Sequence, residues 1–176
     1  LQIITFIILG LLPLFMDSYY LDNFSYFMCW TFISLGLAVI WGMGGILSFG
    51  QTAFFGLAGY GFSVISINFL GVAGVSLWSI ILALTLTGIF GLIVGYFLFY
   101  GGIYDVFVGI VTLAITLVLE TFMQQTAGPE YTIGNARLNG FNGMQGMPII
   151  GFEKIPFGLV EGVTQYYFIL ILSILV

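Results

Sequence analysis

The long uncharged interior of the chain constrains its fold more than any other feature. Residues 23–104 contain no Asp, Glu, Lys or Arg. One bilayer crossing takes about 20 apolar residues, so a stretch of this length predicts several crossings. The stretch is also rich in Gly, Ser, Thr and Gln, which are tolerated at membrane depth where helices pack together or line a cavity. The sequence therefore predicts an all-α integral membrane protein, a polytopic transmembrane helix bundle with a polar interior suited to moving a solute.

Composition excludes most other classes of protein. Charged residues make up 5% of the chain, whereas soluble domains carry about 25%. No basic patch supports nucleic-acid binding, and the single cysteine, Cys29, excludes an internal disulfide. The chain has no histidine and no G-x-S-x-G frame, and its only lysine, Lys154, lies outside any phosphate-binding loop motif. We therefore predict no catalytic residue, no metal and no bound cofactor, and any ATP must be used by another polypeptide.

Apolar runs, separated by polar or by Gly- and Pro-rich residues, divide the chain into predicted spans. We predict five full spans and part of a sixth, at residues 1–16, 24–47, 48–70, 72–100, 106–125 and 163–176. Residues 17–23 are predicted to form a polar loop, and the Gly- and Pro-rich residues 127–162 a long extramembrane loop. Both ends of the sequence lie in apolar runs, which indicates a fragment of a longer protein. The whole of residues 1–176 is predicted to be one truncated transmembrane domain.

The fifth and third predicted spans each contain a stripe of small or polar residues. On the fifth span, four polar residues recur at every fourth position and share one broad helix face. Ionisable residues within a span usually face the bundle interior or a water-filled cavity. On the third span, Ser48, Thr52 and Gly56 form a second stripe at every fourth position, and Ser48 shares a neighbouring face with Gln51 and Phe55. The candidate translocation path is therefore Ser48, Gln51, Thr112, Thr116, Glu120 and Gln124.

Each of these features also has a purely structural interpretation. Glu120 could simply end its span near the membrane surface, and the threonine hydroxyls could bond to their own helix backbone. The small residues of the third span, and the G-x-x-x-G of Gly91 and Gly95, could serve only close helix packing. The sequence leaves both interpretations of the polar stripes open.

Three collinear segments together resemble one family. Residues 41–60, WGMGGILSFGQTAFFGLAGY, resemble the signature of the branched-chain amino acid permeases of ABC importers, most closely the LivM-type subunit. The junction at 96–113 and the loop at 140–148, with its Gly-Phe-Asn-Gly-Met and Gly-Met-Pro sequences, resemble further parts of that family. The signature and packing positions are Gly42, Gly45, Gly50, Phe54, Phe55, Gly56, Gly59 and Tyr60.

The resemblance implies a particular assembly in a bacterial inner membrane. It implies a second permease subunit, two cytoplasmic ATPases that use ATP, and an extracytoplasmic solute-binding protein. The long loop would face the extracytoplasmic side, although its two basic residues would place it inside by the positive-inside rule. The candidate docking positions in this loop are Asn142, Gly143, Gly146 and Pro148. Gln51 stands where the family often has His, residues 97–102 lack the family's usual basic residues, and the family's ATPase-coupling segment lies beyond this sequence.

Three rival functions remain open on the sequence. A urea or short-amide ABC permease shares the Trp41-Gly42 feature. An ion-coupled secondary carrier would use Glu120 and Asp105 as proton or cation sites. A purely structural membrane subunit would need neither.

Overall fold

The computed structural model describes residues 2–70, 75–148 and 161–175. The chain folds as two compact units, one formed by Leu1–Gly36 with Lys154–Val176 and the other by Leu37–Glu153. The described elements are six α-helices, one short 3-10 helix at Leu12–Leu14 and one two-stranded hairpin. The helices are α1 (Gln2–Leu11), α2 (Ser18–Gly44), α3 (Gln51–Asn68), α4 (Val75–Tyr100), α5 (Val106–Gln125) and α6 (Glu161–Leu175), and the strands are β1 (Thr132–Ile133) and β2 (Ala136–Arg137).

Three of these helices, α2, α4 and α5, are long and apolar enough to cross a membrane. The 26 residues of α4 extend about 39 Å at 1.5 Å per residue, which exceeds the roughly 30 Å hydrocarbon core. The residues around α1 and α6 form shorter apolar helices, and α3 begins and ends with the amides Gln51 and Asn68. The helical membrane-protein class is confirmed, whereas the number of five full spans and part of a sixth is not supported by these helices.

The first unit packs around aromatic and aliphatic side chains from three helices. Leu21 and Met28 of α2 form a buried cluster with Tyr166 and Leu170 of α6, and residues of α1 pack against it. The Tyr166 hydroxyl donates a hydrogen bond to the backbone carbonyl of Leu9 at 2.6 Å. This bond lets a phenol be fully buried without leaving its polar atom unpaired.

The predicted polar loop at residues 17–23 is wrong, because α2 already begins at Ser18. The carbonyl of Asp17 accepts hydrogen bonds from the backbone amides of Tyr20 and Leu21, which completes the first helical turn. The Asn23 side chain donates to the carbonyl of Tyr19 on the same helix at 2.9 Å. Polar side chains that bond locally or face outward do not end a helix, so polarity alone misplaced this boundary.

In the second unit, α3 and α4 pack closely and run in opposite directions. A Cβ at Gly61 would lie 3.5 Å from the Cβ of Ala83, and a Cβ at Gly91 would lie 3.6 Å from the Phe54 ring. The rings of Phe54 and Phe90 also meet, with centroids 5.9 Å apart. Small residues therefore bring the two helices together, as expected for membrane helices.

Three of the glycines expected to pack closely have no other described helix against them. A Cβ built at Gly56 or Gly59 would have no atom within 4 Å, and a Cβ at Gly95 would meet only Phe99 of its own helix. The close approach of α3 to α4 occurs at Gly61, two residues beyond Gly59. The spacing of small residues thus indicated a helix that packs closely, but the observed contact with α4 is on another face.

Candidate functional site

A non-helical segment, residues 45–50, interrupts the chain between α2 and α3. Gly45 has a φ of +65°, and its amide bonds to the carbonyl of Trp41 at 3.0 Å. This is the left-handed glycine cap that commonly ends a helix. Residues 48–50, which were predicted to lie in the third span, therefore precede α3, which begins at Gln51.

The segment is held against α5 at both backbone polar groups of one residue. The backbone amide of Phe49 donates to Thr112 Oγ1 at 3.0 Å, and Thr116 Oγ1 shares its proton between the carbonyl of Thr112 on its own helix, at 2.9 Å, and the carbonyl of Phe49, at 3.1 Å. Thr112 in turn donates to the carbonyl of Val108 on its own helix at 2.8 Å. Irregular backbone at membrane depth has to satisfy its polar groups within the protein, and these two threonines do this at Phe49. We call this arrangement the Phe49 clamp.

Two glycines allow the close approach at the Phe49 clamp. A Cβ on Gly109 would lie 3.3 Å from the carbonyl oxygen of Leu47, and a Cβ on Gly50 would lie 3.3 Å from the Cβ of Thr112. Both residues are buried. The buried Ser48 hydroxyl accepts a hydrogen bond from the amide of Gly50 at 3.2 Å. Residues 45–50 therefore pack directly against α5.

A cavity of about 420 Å³ lies between α3 and α5, next to the Phe49 clamp. Its length follows α3 from Thr52 to Tyr60, which is about 12 Å at 1.5 Å per residue. The clamp residue Thr116 lies at one end, and the loop residues Gly140 and Phe141 lie at the other. The full lining is Thr52, Ala53, Gly56, Leu57, Tyr60, Thr116, Leu119, Glu120, Met123, Gln124, Gly140 and Phe141. We call this space the α3–α5 groove.

The structure divides the candidate path residues into two groups and leaves Gln51 outside both. Thr116, Glu120 and Gln124 line the α3–α5 groove, and the Gln124 amide donates to Glu120 Oε1 at 3.1 Å. Thr112 and Ser48 are buried and hold backbone at the clamp instead. Gln51 is half-buried in the first turn of α3, outside the groove lining. The four-residue spacing on α5 therefore marked one helix face that contacts both the clamp and the groove.

The loop after α5 packs against the C-terminal end of α3 in the second unit. β1 and β2 form a hairpin whose Ala136 and Leu138 pack with Met144 against Ile67 of α3. The Asn68 side chain accepts a hydrogen bond from the amide of Asn135 and donates to the carbonyl of Ile133, both at 2.8 Å. This amide therefore ties the hairpin to the end of α3. Nothing in the helical periodicity indicated it, although an amide ending an apolar run next to a Gly-rich segment was a usable signal.

Replacing Asn68 by alanine should release the hairpin without unfolding the helices. Losing two hydrogen bonds of about 1 kcal/mol each at an exposed site should increase local opening roughly thirtyfold. Trypsin cleavage after Arg137 of β2, followed by mass spectrometry under conditions where reclosing is fast, measures this opening. The matched control is Asn23→Ala, because the Asn23 amide bonds only within α2; equal cleavage rates for the two variants would contradict the role of Asn68.

The candidate docking positions lie on the outer part of the same loop. Asn142 and Gly146 are exposed, and Gly143 and Gly146 have φ angles of +74° and +80°. The Asn139 side chain donates to the carbonyl of Gly143 at 2.9 Å, which stabilises the turn. Pro148 is the last described residue here, and the rest of the predicted loop up to residue 160 lies outside the described residues.

The remaining signature residues have separate roles. Gly42 lies in the last turns of α2 with no atom near its potential Cβ, and Gly45 provides the left-handed cap. Phe54 packs against α4, Phe55 is exposed, and Tyr60 lines the groove. Among the residues that the structure describes, no three His, Cys, Asp or Glu side chains come together as a metal site.

Apolar helices long enough to span a membrane, a non-helical segment between α2 and α3, and a groove with apolar walls and a few polar groups together define a multi-pass membrane protein of the permease class. The chain belongs to the family of branched-chain amino acid transport system permease components, whose family model matches residues 19–176. It is thus a membrane permease component of an ABC importer rather than its ATPase, and such components act with ATPases and a solute-binding protein. No curated protein and no solved structure matches the chain.

Proposed function

We propose that this chain is the LivM-type subunit of its importer and that the α3–α5 groove forms part of the path for branched-chain amino acids. The observation that supports this most directly is the groove itself. It combines apolar walls from Leu57, Leu119 and Met123 with a few polar groups, which is the composition of small-molecule sites. Its volume of about 420 Å³ is within the usual range for such sites.

The proposed assembly has four kinds of subunit. This permease pairs with a second permease in the bacterial inner membrane, two ATPases bind on the cytoplasmic side and hydrolyse ATP, and the solute-binding protein docks on the long loop. Residues 1–176 form one transmembrane domain of the permease, with five full spans and part of a sixth. In that topology α3, although less apolar than α4 and α5, also crosses the membrane. Its amides and small residues then face other helices, not lipid.

The Phe49 clamp gives the groove a closed end in this mechanism. Alternating access moves packed helices around a central site. Thr116 takes part in both the clamp and the groove lining, so a shift of residues 45–50 relative to α5 would change access to that end. ATP-driven movement of the assembly is the source of such a shift.

Reconstitution tests this function. The full gene product is purified from native membranes in mild detergent, its co-purifying proteins are identified by mass spectrometry, and the assembly is placed in proteoliposomes. We expect a second permease and an ATPase pair, and leucine uptake that requires ATP. An assembly without an ATPase, or uptake that is independent of ATP, would refute the proposal.

Two rivals are separated in the same vesicles. The position of Glu120 in the groove favours an ion-coupled carrier as the second candidate, because intramembrane carboxylates serve ion pathways. That carrier would lose activity on addition of an uncoupler while ATP is held constant, whereas the importer would not. Competition of unlabelled urea against labelled leucine distinguishes a urea or short-amide permease.

A further inference from the structure

We infer that Glu120 recognises the ammonium group of the transported amino acid and so selects amino acids over solutes that lack this cation. The inference rests on the proposed function. It assigns a specific role to one side chain of the α3–α5 groove, and it begins from the charge of that groove.

Among the described residues that line the groove, Glu120 is the one carboxylate and none is Lys or Arg, so the lining carries a single formal negative charge. The Glu120 side chain is exposed at the groove. Arg137 is the one guanidinium of the chain, and it donates to the carbonyl of Ala127 in the loop, at 3.4 Å. A carboxylate next to low-dielectric walls attracts a cationic group and disfavours an anionic one.

One carboxylate oxygen of Glu120 is free to accept a hydrogen bond from a solute. Its Oε1 accepts the Gln124 amide at 3.1 Å, and this bond orients the carboxylate. No described residue donates a hydrogen bond to Oε2. A carboxylate has room for about four donors, and an ammonium group supplies three. Tyr60 and Thr116 add hydroxyl oxygens that can also accept from it.

The apolar residues fit the other end of the same solute. Ala53, Leu57, Leu119 and Met123 line the groove beside Glu120. An aliphatic side chain would contact these residues while its ammonium group meets the carboxylate. Urea and simple amides have neither the cation nor the aliphatic group, so the two features together favour an apolar amino acid.

Equilibrium binding measures the effect directly. The purified permease assembly in nanodiscs, without the solute-binding protein, is titrated with labelled leucine and then with 2-hydroxy-4-methylpentanoate, which replaces the ammonium group by a hydroxyl. We expect wild type to bind leucine at least about tenfold more tightly than the hydroxy acid, because hydrogen bonds to charged groups are the strong ones. Glu120→Gln should weaken leucine binding by at least about tenfold and should not weaken binding of the hydroxy acid, which is an anion that the carboxylate disfavours. Glu120→Asp, which keeps the charge, should retain most of the discrimination.

Glu130→Gln is the matched control. It makes the same chemical change in the loop, outside the groove lining, and should alter neither affinity. ATP-dependent leucine uptake by wild type separates the two hypotheses. Absent uptake overturns the proposed function. Present uptake with equal discrimination by wild type and Glu120→Gln, or with no saturable leucine binding in the nanodiscs, overturns the role of Glu120 alone.

Discussion

Replacing Gly140 by alanine should lower the free energy of unfolding of this permease by about 3 kcal/mol, at the upper end of the usual effect of overpacking. A Cβ at Gly140 would overlap the backbone carbonyl oxygen of Met123 and approach Thr126 Oγ1 to 3.1 Å. Backbone cannot rotate away as a flexible side chain can, so the loop must leave the end of α5. The hydrogen bond from the Gly140 amide to the Thr126 carbonyl, at 3.3 Å, would then be lost as well.

Reversible unfolding in mixed detergent micelles, followed by circular dichroism, measures this change. Gly59→Ala is the matched control because no atom lies within 4 Å of its potential Cβ. In the interior of α3 that substitution should be neutral or stabilising by up to about 1 kcal/mol. If Gly140→Ala were as stable as Gly59→Ala, the contact between the loop and α5 described above would be incorrect.

Replacing Thr112 by valine should cost about 2 kcal/mol, because it leaves the part-buried amide of Phe49 without its acceptor. Valine has nearly the shape of threonine, so packing is conserved and the lost oxygen is the only major change. Thr112 is 4% exposed, so water cannot easily replace the bond of 3.0 Å. If the Phe49 clamp closes one end of the path, the variant should also raise the ATPase activity of the assembly in the absence of solute.

Thr121→Val provides the comparison on the same helix. The Thr121 hydroxyl donates only to the carbonyl of Leu117 at 2.8 Å and lies on an exposed face. It should change stability by less than about 0.5 kcal/mol and leave solute-independent ATPase activity unaltered. Equal losses in the two valine variants would mean that the clamp contributes nothing beyond ordinary helix packing.

The helix boundaries show which structural features can be predicted from local sequence patterns. The predicted fifth span, residues 106–125, coincides with α5 (Val106–Gln125), because an apolar run is bounded there by Asp105 and by a Gly- and Pro-rich loop. The predicted break at residues 17–23 failed, since local hydrogen bonds keep polar residues helical. The third span was placed three residues early, since the bonds that hold residues 48–50 come from a helix more than 60 positions away.

In the candidate site, too, local features could be predicted from the sequence, whereas contacts between distant segments could not. The four-residue spacing placed Thr116, Glu120 and Gln124 on one face of α5, because helical periodicity is a local property, and these three residues line the groove. It could not show that Thr112 holds the amide of Phe49, nor that Tyr60 and Phe141 complete the groove lining. The role of Asn68 was also hidden, since its partners belong to a hairpin distant in sequence.

The sequence by itself determined that this protein is a helical membrane permease, because its long uncharged interior consists of continuous apolar runs of the length that membrane helices need, and its motifs resemble one family. Only the tertiary structure decided which polar residues face a groove and which hold backbone. The physical reason is that a hydroxyl or an amide has the same composition in both roles. Its role depends on which unpaired backbone group or empty space the rest of the fold places beside it.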